Sequence, residues 1–103
     1  MTRFEDRLSE KTVRVGVIGL GYVGLPLVHV FWQAGLTAVG FDVDPGKIEK
    51  LARGETYIKH FASDHVRAMN ASGRFSATTD FAKLADVDAV LICVPTPLNA
   101  ARE

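Results

Sequence analysis

The sequence holds a single cysteine, Cys93, and no excess of charge, with 12 basic and 12 acidic residues among its 103. One cysteine excludes an internal disulfide framework and a metal site built from several cysteines, and it is typical of a reducing compartment. Without net positive charge, the chain lacks the field that attracts nucleic acid or anionic lipid. We therefore expect a cytoplasmic protein that binds neither nucleic acid nor a membrane.

Long hydrophobic runs are missing as well. The longest apolar run near the N-terminus, residues 25–32, is interrupted by Pro26 and His29, and it is far shorter than the roughly 20 residues of a membrane span. Residues 1–11 contain acidic side chains, which a secretory signal does not. Two apolar residues four apart among these charges predict a short amphipathic helix or an arm.

Residues 12–103 instead alternate between strand and helix signals, in a chain whose 48% hydrophobic residues are enough for a core. Strands are predicted at residues 12–18, 36–41, 75–78 and 88–94. Helical segments are predicted from Gly21 to Gly35, from Pro45 to Leu51 or Ala52, from Ser63 to Gly73, and over residues 81–85. This alternation indicates an α/β fold: the first half of a Rossmann-type, doubly wound parallel sheet with strand order 3-2-1-4.

The most specific motif is GLGYVG, a G-x-G-x-x-G between the first predicted strand and the first predicted helix. Gly19 permits the tight turn, Gly21 lets the backbone approach a pyrophosphate, and Gly24 lets helix and strand pack closely. The N–H groups and the dipole of the helix N-terminus favour an anion without any basic side chain in the loop. We interpret the loop as a dinucleotide site, the alternative being a turn that only packs.

A carboxylate supports this interpretation. Asp42 ends the second predicted strand, 18 residues after Gly24, where dinucleotide folds place an acid on the adenosine ribose. It would accept hydrogen bonds from the ribose hydroxyls and repel the 2′-phosphate of NADP, so NAD is the expected cofactor. Asp42 could instead form the turn before Pro45, a role that Asp44 could also fill. Lys47 could reach the ribose or be solvated.

The fourth predicted strand neighbours the first in this topology, and ligands bind at such a switch point. Thr96 and the exposed backbone around it could contact the cofactor, although the prolines here could simply end the strand. The candidate cofactor-binding residues are therefore Gly19, Gly21, Tyr22, Val23, Gly24, Asp42, Lys47, Val94, Pro95 and Thr96.

No residue stands out as catalytic or as a metal ligand. Cys93 lies in an apolar strand, where a free cysteine acts as a small hydrophobe. Within the first predicted helix, His29 falls away from an apolar stripe, and we expect it at the surface with the other histidines. Those histidines, His60 and His65, have no acidic or cysteine partner at ligand spacing. The apolar stripe is formed by Val23, Leu27, Val30 and Ala34.

Four segments of the sequence are recognisable: VIGLGYVGLPL at 17–27, VGFDVDPGKI at 39–48, SATTDF at 76–81 and DAVLICVPTPLN at 88–99. Over residues 13–103 they resemble the N-terminal, NAD-binding part of the UDP-glucose/GDP-mannose dehydrogenase family. The resemblance is greatest to the branch that acts on UDP-N-acetylglucosamine. It rests on GLGYVGLP and VPTP, which are more specific than G-x-G-x-x-G.

The resemblance implies oxidation of the C6 alcohol of a UDP-sugar to the uronic acid with two NAD, through a cysteine thioester, for surface polysaccharide synthesis. It implies that residues 19–24 hold the pyrophosphate, that Asp42 and Lys47 hold the adenosine ribose, and that Thr96 touches the cofactor. The family's catalytic residues correspond to positions beyond 103. We therefore expect residues 12–103 to be a partial NAD-binding domain, inactive alone, of a homo-oligomeric enzyme.

Two other functions compete with this one. A stand-alone module could use the same loop and Asp42 to sense NAD or another nucleotide. An NADP-linked hydroxyacid dehydrogenase domain would share the glycine loop, but Asp42 disfavours it. In a partial domain the apolar strand at residues 88–94 would lack the fifth strand that normally covers it, and we expect its bare edge to drive self-association.

Overall fold

The computed structural model describes residues 13–59 and 61–93, so the helix or arm expected at residues 1–11 lies outside the described residues. Its four strands are β1, Arg14–Ile18; β2, Thr37–Phe41; β3, Phe75–Thr78; and β4, Ala89–Ile92. They form one sheet in the order β3-β2-β1-β4, and every neighbouring pair is parallel. The predicted Rossmann-type sheet with strand order 3-2-1-4 is confirmed.

Three α-helices and one 3₁₀ helix connect the strands: α1, Gly24–Gln33; α2, Pro45–Ala52; α3, Ser63–Ser72; and the 3₁₀ helix, Phe81–Asp86. The start of α2 and the end of α3 follow from local chemistry. Pro45 occupies the first turn of α2, where its missing N–H costs nothing. Gly73 ends α3 in the left-handed conformation, at φ 77°.

The two faces of the sheet are covered differently. Right-handed crossovers place α1, α2 and α3 on one face. There Val15, Val17 and Ala38 join the main core. On the opposite face the ring of Phe41 packs against that of Phe81, with centroids 5.7 Å apart. The core on the helical face is completed by Leu20, Leu25, Val28, Leu36, Leu51, Ile58, Phe61, Val66, Met69 and Phe75, together with Val13.

The buried stripe of α1 differs from the one expected. Leu25 and Val28 are fully buried, whereas Val23 and Val30 are 62% and 54% exposed. The close packing of Gly24 against the loop fixes the rotation of the helix, so the positions one and four residues after Gly24 face the sheet. Helical spacing alone does not distinguish this stripe from its neighbour.

Strand β4 is packed on one face only within the described residues. Leu91 lies against the core, while Val90 and Ile92 are exposed on the other side. Alternate residues of a strand point to opposite faces, and the described helices cover only one of them here. The apolar strand predicted at residues 88–94 is therefore covered on one face only within the described residues, and self-association through it stays a prediction. In the described ranges, no helix has the length and apolar character needed to cross a membrane.

Candidate functional site

The glycine loop lies at the carboxyl end of β1, where the chain turns into α1. Gly19 adopts φ 96°, and its N–H donates to the Phe41 carbonyl at 2.7 Å, which ties the turn to β2. A Cβ on Gly24 would lie only 1.6 Å from the carbonyl oxygen of Gly19. Both glycines are therefore required by the turn itself, one for its backbone conformation and the other for its packing.

Gly21 has a different environment. Nothing in the structure lies within 4 Å of the position that its Cβ would take. Among the described residues, no side chain caps the N-terminus of α1, and its first turn carries no acid that would compete with an anion. Open space beside an uncapped helix N-terminus fits the pyrophosphate of a dinucleotide.

Asp42 follows β2 and faces this loop. Its side chain is nearly buried, at 8% exposure, and its Oδ2 accepts the Leu20 N–H at 2.8 Å. Its Oδ1 accepts the Asp44 N–H at 3.0 Å. Burial alone would raise the pKa of Asp42, but these two donors and the nearby Lys47 ammonium outweigh it, so the pKa lies below the usual range. A charged carboxylate is thus fixed beside the glycine loop.

Asp44 and Lys47 clarify the alternatives left by the sequence. Asp44 caps α2 by accepting the Gly46 N–H at 2.9 Å, and Asp42 accepts the Asp44 N–H, so both carboxylates take part in the turn before Pro45. Lys47 is not simply solvated, because its Nζ lies 3.7 Å from Oδ2 of Asp42. The same ammonium lies 5.7 Å from the centre of the Tyr57 ring.

Tyr57, in the connection between α2 and α3, was not identified from the sequence. Its hydroxyl donates to the Leu20 carbonyl at 2.6 Å, although the two residues are 37 positions apart. Burial and then the charges of Asp42 and Asp44 raise the pKa of Tyr57 above its usual value. No motif marks this tyrosine, and only the folded topology brings it to the loop.

Two depressions flank the glycine loop. The smaller, of 390 Å³, combines the loop with Asp42 and with Phe81 of the 3₁₀ helix. The larger, of 860 Å³, is mostly apolar and lies between the loop, α2 and Tyr57. Gly21, Asp44 and Lys47 line both. The smaller depression brings the Asp42 carboxylate next to the glycine loop, an arrangement that would suit an adenosine with its phosphates.

The remaining candidate residues fall into two groups. Tyr22 and Val23 are strongly exposed and border the larger depression. Cys93 is half-buried: it packs against the core, as expected, and it also borders that depression. The other group, Val94, Pro95 and Thr96, lies outside the described residues.

The interpretation of His29 as a surface residue was wrong. Its ring is half-buried between α1 and α3, with centroids 5.6 Å from Trp32, 5.4 Å from Phe61 and 4.3 Å from His65. Burial and then the charge of His65 lower the pKa of His29. His65 itself is exposed, and His60 lies outside the described residues. The described part of the chain contains no cluster of three or more potential metal ligands.

Comparison with known proteins identifies the family to which this sequence and fold are similar. Residues 13–103 match the NAD binding domain of the UDP-glucose/GDP-mannose dehydrogenase family. UDP-N-acetyl-D-mannosamine dehydrogenase of Methanococcus maripaludis is 33% identical over 95 residues, covering 87% of this chain and 21% of that protein. UDP-N-acetyl-D-glucosamine 6-dehydrogenase of Pseudomonas aeruginosa is 32% identical over 93 residues, covering 90% and 21%.

The fold is also similar to that of solved dehydrogenase structures. The GDP-mannose dehydrogenase of Pseudomonas aeruginosa, crystallised as a ternary complex, superposes with a TM-score of 0.82 at 32% identity, over 88% of this chain and 21% of that one. The chain thus spans about a fifth of the length of these relatives.

Proposed function

Because the chain belongs to the UDP-glucose/GDP-mannose dehydrogenase family and corresponds to its NAD-binding domain, we propose that the glycine loop and Asp42 hold the adenosine diphosphate half of NAD. The observation that carries this assignment is the placement of a charged, nearly buried carboxylate beside a loop with open space at Gly21. Buried carboxylates are costly unless they are paired, so one that faces a ligand pocket supports a binding role.

The carboxylate of Asp42 has acceptor capacity left for a ribose. Each of its oxygens accepts one backbone N–H, from Leu20 or from Asp44, and each retains a further lone pair. The 2′- and 3′-hydroxyls of the ribose would donate to these sites. The charge would repel a 2′-phosphate, with Lys47 offsetting the repulsion only in part. NAD should therefore bind more tightly than NADP.

The pyrophosphate would lie on the backbone of the loop. Residues 19–24 contain no lysine or arginine, so the donors are the N–H groups at the start of α1 and the helix dipole. Val94, Pro95 and Thr96 follow β4 in the sequence, and β4 pairs with β1. We assign them to the same cofactor site on the family pattern.

In the whole protein, we propose oxidation of the C6 alcohol of a UDP-sugar to the uronic acid. NAD, when bound, supplies the hydride acceptor. The residues of this domain bind and orient it, and none of those described is assigned to the chemical steps. Relatives named for UDP-N-acetyl-D-mannosamine and UDP-N-acetyl-D-glucosamine support an N-acetylated substrate. We propose UDP-N-acetylglucosamine, with a role in polysaccharide synthesis in the cytoplasm.

A calorimetric titration of the full chain with NAD and NADP tests the cofactor assignment. Asp42→Asn keeps an acceptor for the Leu20 N–H but removes the charge. We expect wild type to prefer NAD, and Asp42→Asn to lose about 10-fold or more in NAD affinity, because hydrogen bonds to charged groups contribute roughly 1.5–3 kcal/mol.

The matched control is Asp64→Asn, which neutralises an exposed carboxylate on α3 that pairs with Arg67. It should leave both affinities unchanged. Circular dichroism would verify that each variant is folded. Equal NAD and NADP affinities in wild type, or an unchanged ratio in Asp42→Asn, would contradict the assignment.

A further inference from the structure

Leu20, in the middle of the glycine loop, is held from two sides. Its N–H donates to Oδ2 of Asp42 at 2.8 Å, and its carbonyl accepts from the Tyr57 hydroxyl at 2.6 Å. Its side chain is completely buried in the core. The peptide group before Leu20 is thus anchored by Asp42, directly after β2, and the peptide group after it is anchored by Tyr57, in the connection between α2 and α3.

The second of these peptide groups also contains the N–H of Gly21. In a planar trans peptide, the carbonyl and the following N–H point in opposite directions, and the described residues contain no cis bond. The hydroxyl of Tyr57 draws the Leu20 carbonyl toward itself, so the Gly21 N–H points away from the phenol. Glycine has wide conformational freedom, and without such an anchor this peptide could rotate.

The environment of Tyr57 suits a permanent donor. Burial and the neighbouring carboxylates of Asp42 and Asp44 raise its pKa, so the phenol keeps its proton at physiological pH. The ring packs against the core and lies beside the Lys47 ammonium, which limits its movement. A rigid phenol at 2.6 Å therefore sets the orientation of the loop continuously rather than at one pH.

We propose that Tyr57 is a positioning residue, which aims the Gly21 N–H into the open space at the loop so that it binds the diphosphate of the cofactor. This inference rests on the proposed function. The ligand class follows from the geometry: a ligand with a diphosphate would use the aimed N–H, whereas a nucleoside without phosphates would use Asp42 alone. Tyr57 thus affects the affinity for one part of the cofactor and not the other.

The test compares three ligands, adenosine, ADP and NAD, by NMR titration of the full chain. Tyr57→Phe removes only the hydroxyl and keeps the ring. We expect the dissociation constants of ADP and NAD to rise about fivefold, the size of one lost neutral hydrogen bond, while that of adenosine changes less than about twofold. In the free protein, the amide resonance of Gly21 should shift or broaden.

The matched control is Thr56→Val, which removes the neighbouring hydroxyl, an acceptor for the Ile58 N–H in the same connection. It should leave the three affinities and the Gly21 amide unchanged. Comparable melting temperatures would show that both variants fold.

The possible outcomes separate the two proposals. If wild type binds none of the ligands, the proposed function fails, and the Gly21 amide of the free protein still decides whether Tyr57 orients the loop. The positioning role is overturned if Tyr57→Phe leaves ADP affinity and the Gly21 amide as in wild type. It is also overturned if adenosine weakens as much as ADP, because the phenol would then support the whole fold and not the aimed N–H.

Discussion

Gly21 and Gly24 belong to the same six-residue motif, yet the structure places them in opposite environments. At Gly24 an added Cβ would overlap the carbonyl of Gly19, at 1.6 Å, whereas at Gly21 it would meet nothing within 4 Å. Gly24 is required by packing within the fold. Gly21 faces open space, as a position that contacts a ligand would. One motif therefore combines a requirement for stability with a requirement for binding, and the two can be separated by mutation.

The largest effect on stability is expected for Gly24→Ala. The new methyl group would overlap backbone atoms of the tight turn, which cannot move without displacing β1 or α1. Overpacking typically costs about 1–3 kcal/mol, and a backbone overlap this close should cost more than about 3 kcal/mol. Urea denaturation followed by circular dichroism measures the difference. A free energy of unfolding within about 1 kcal/mol of wild type would contradict the packing role.

An intermediate effect is expected for Gly40→Ala in β2. Its Cβ would lie 2.8 Å from a terminal methyl of Leu20, whose fully buried side chain has little room to move. We expect a loss of about 1–3 kcal/mol in the free energy of unfolding.

A double-mutant cycle sharpens this prediction. Leu20→Ala alone should cost about 2–5 kcal/mol by leaving a cavity, but it also removes the methyl groups that Gly40→Ala would strike. The double variant should therefore lose less than the sum of the two single losses. Additive losses would show that the Gly40 methyl group is accommodated without contact with Leu20.

Much of this arrangement could be predicted from the sequence, because its signals are local or depend on spacing. The strands follow from β-branched runs, the turn from its glycines, and the carboxylate of Asp42 from its distance to the loop. The strand order then follows from the handedness of crossovers. The glycine loop and Asp42 both lie within the first 42 residues, so their relation can be read without reference to the rest of the chain.

The remaining features depend on packing across the folded chain. Tyr57 reaches Leu20 only because α2 and its following connection return over the loop. His29 is half-buried because α1 is rotated by the contact of Gly24 with Gly19, which turns a stripe other than the expected one toward the core. Helical spacing offers two apolar stripes on α1, and only the tertiary contact selects between them.

A smaller, pH-dependent effect on stability should reveal how firmly Asp42 anchors the glycine loop at Leu20. The folded state lowers the pKa of this group, so its contribution to stability is complete above the unfolded pKa of about 3.9 and is lost as pH falls through the folded value. We expect the free energy of unfolding to fall more steeply with acid in wild type than in Asp42→Asn. Because both proteins contain His29, its own titration cancels in the difference. Parallel pH profiles would contradict the anchoring role.

The smallest effect on stability, with the clearest effect on binding, is expected for Gly21→Ala. Gly21 does not have a positive φ, and the new methyl group meets no atom, so the fold should be unchanged or more stable by up to about 1 kcal/mol through a less flexible unfolded chain. The methyl group would nevertheless occupy the space assigned to the pyrophosphate, and we expect NAD affinity to fall at least about 10-fold, or 1.4 kcal/mol. Parallel melting and titration experiments separate the two quantities. A stable variant that still binds NAD as wild type does would place the pyrophosphate away from Gly21 and remove the difference between the two glycines.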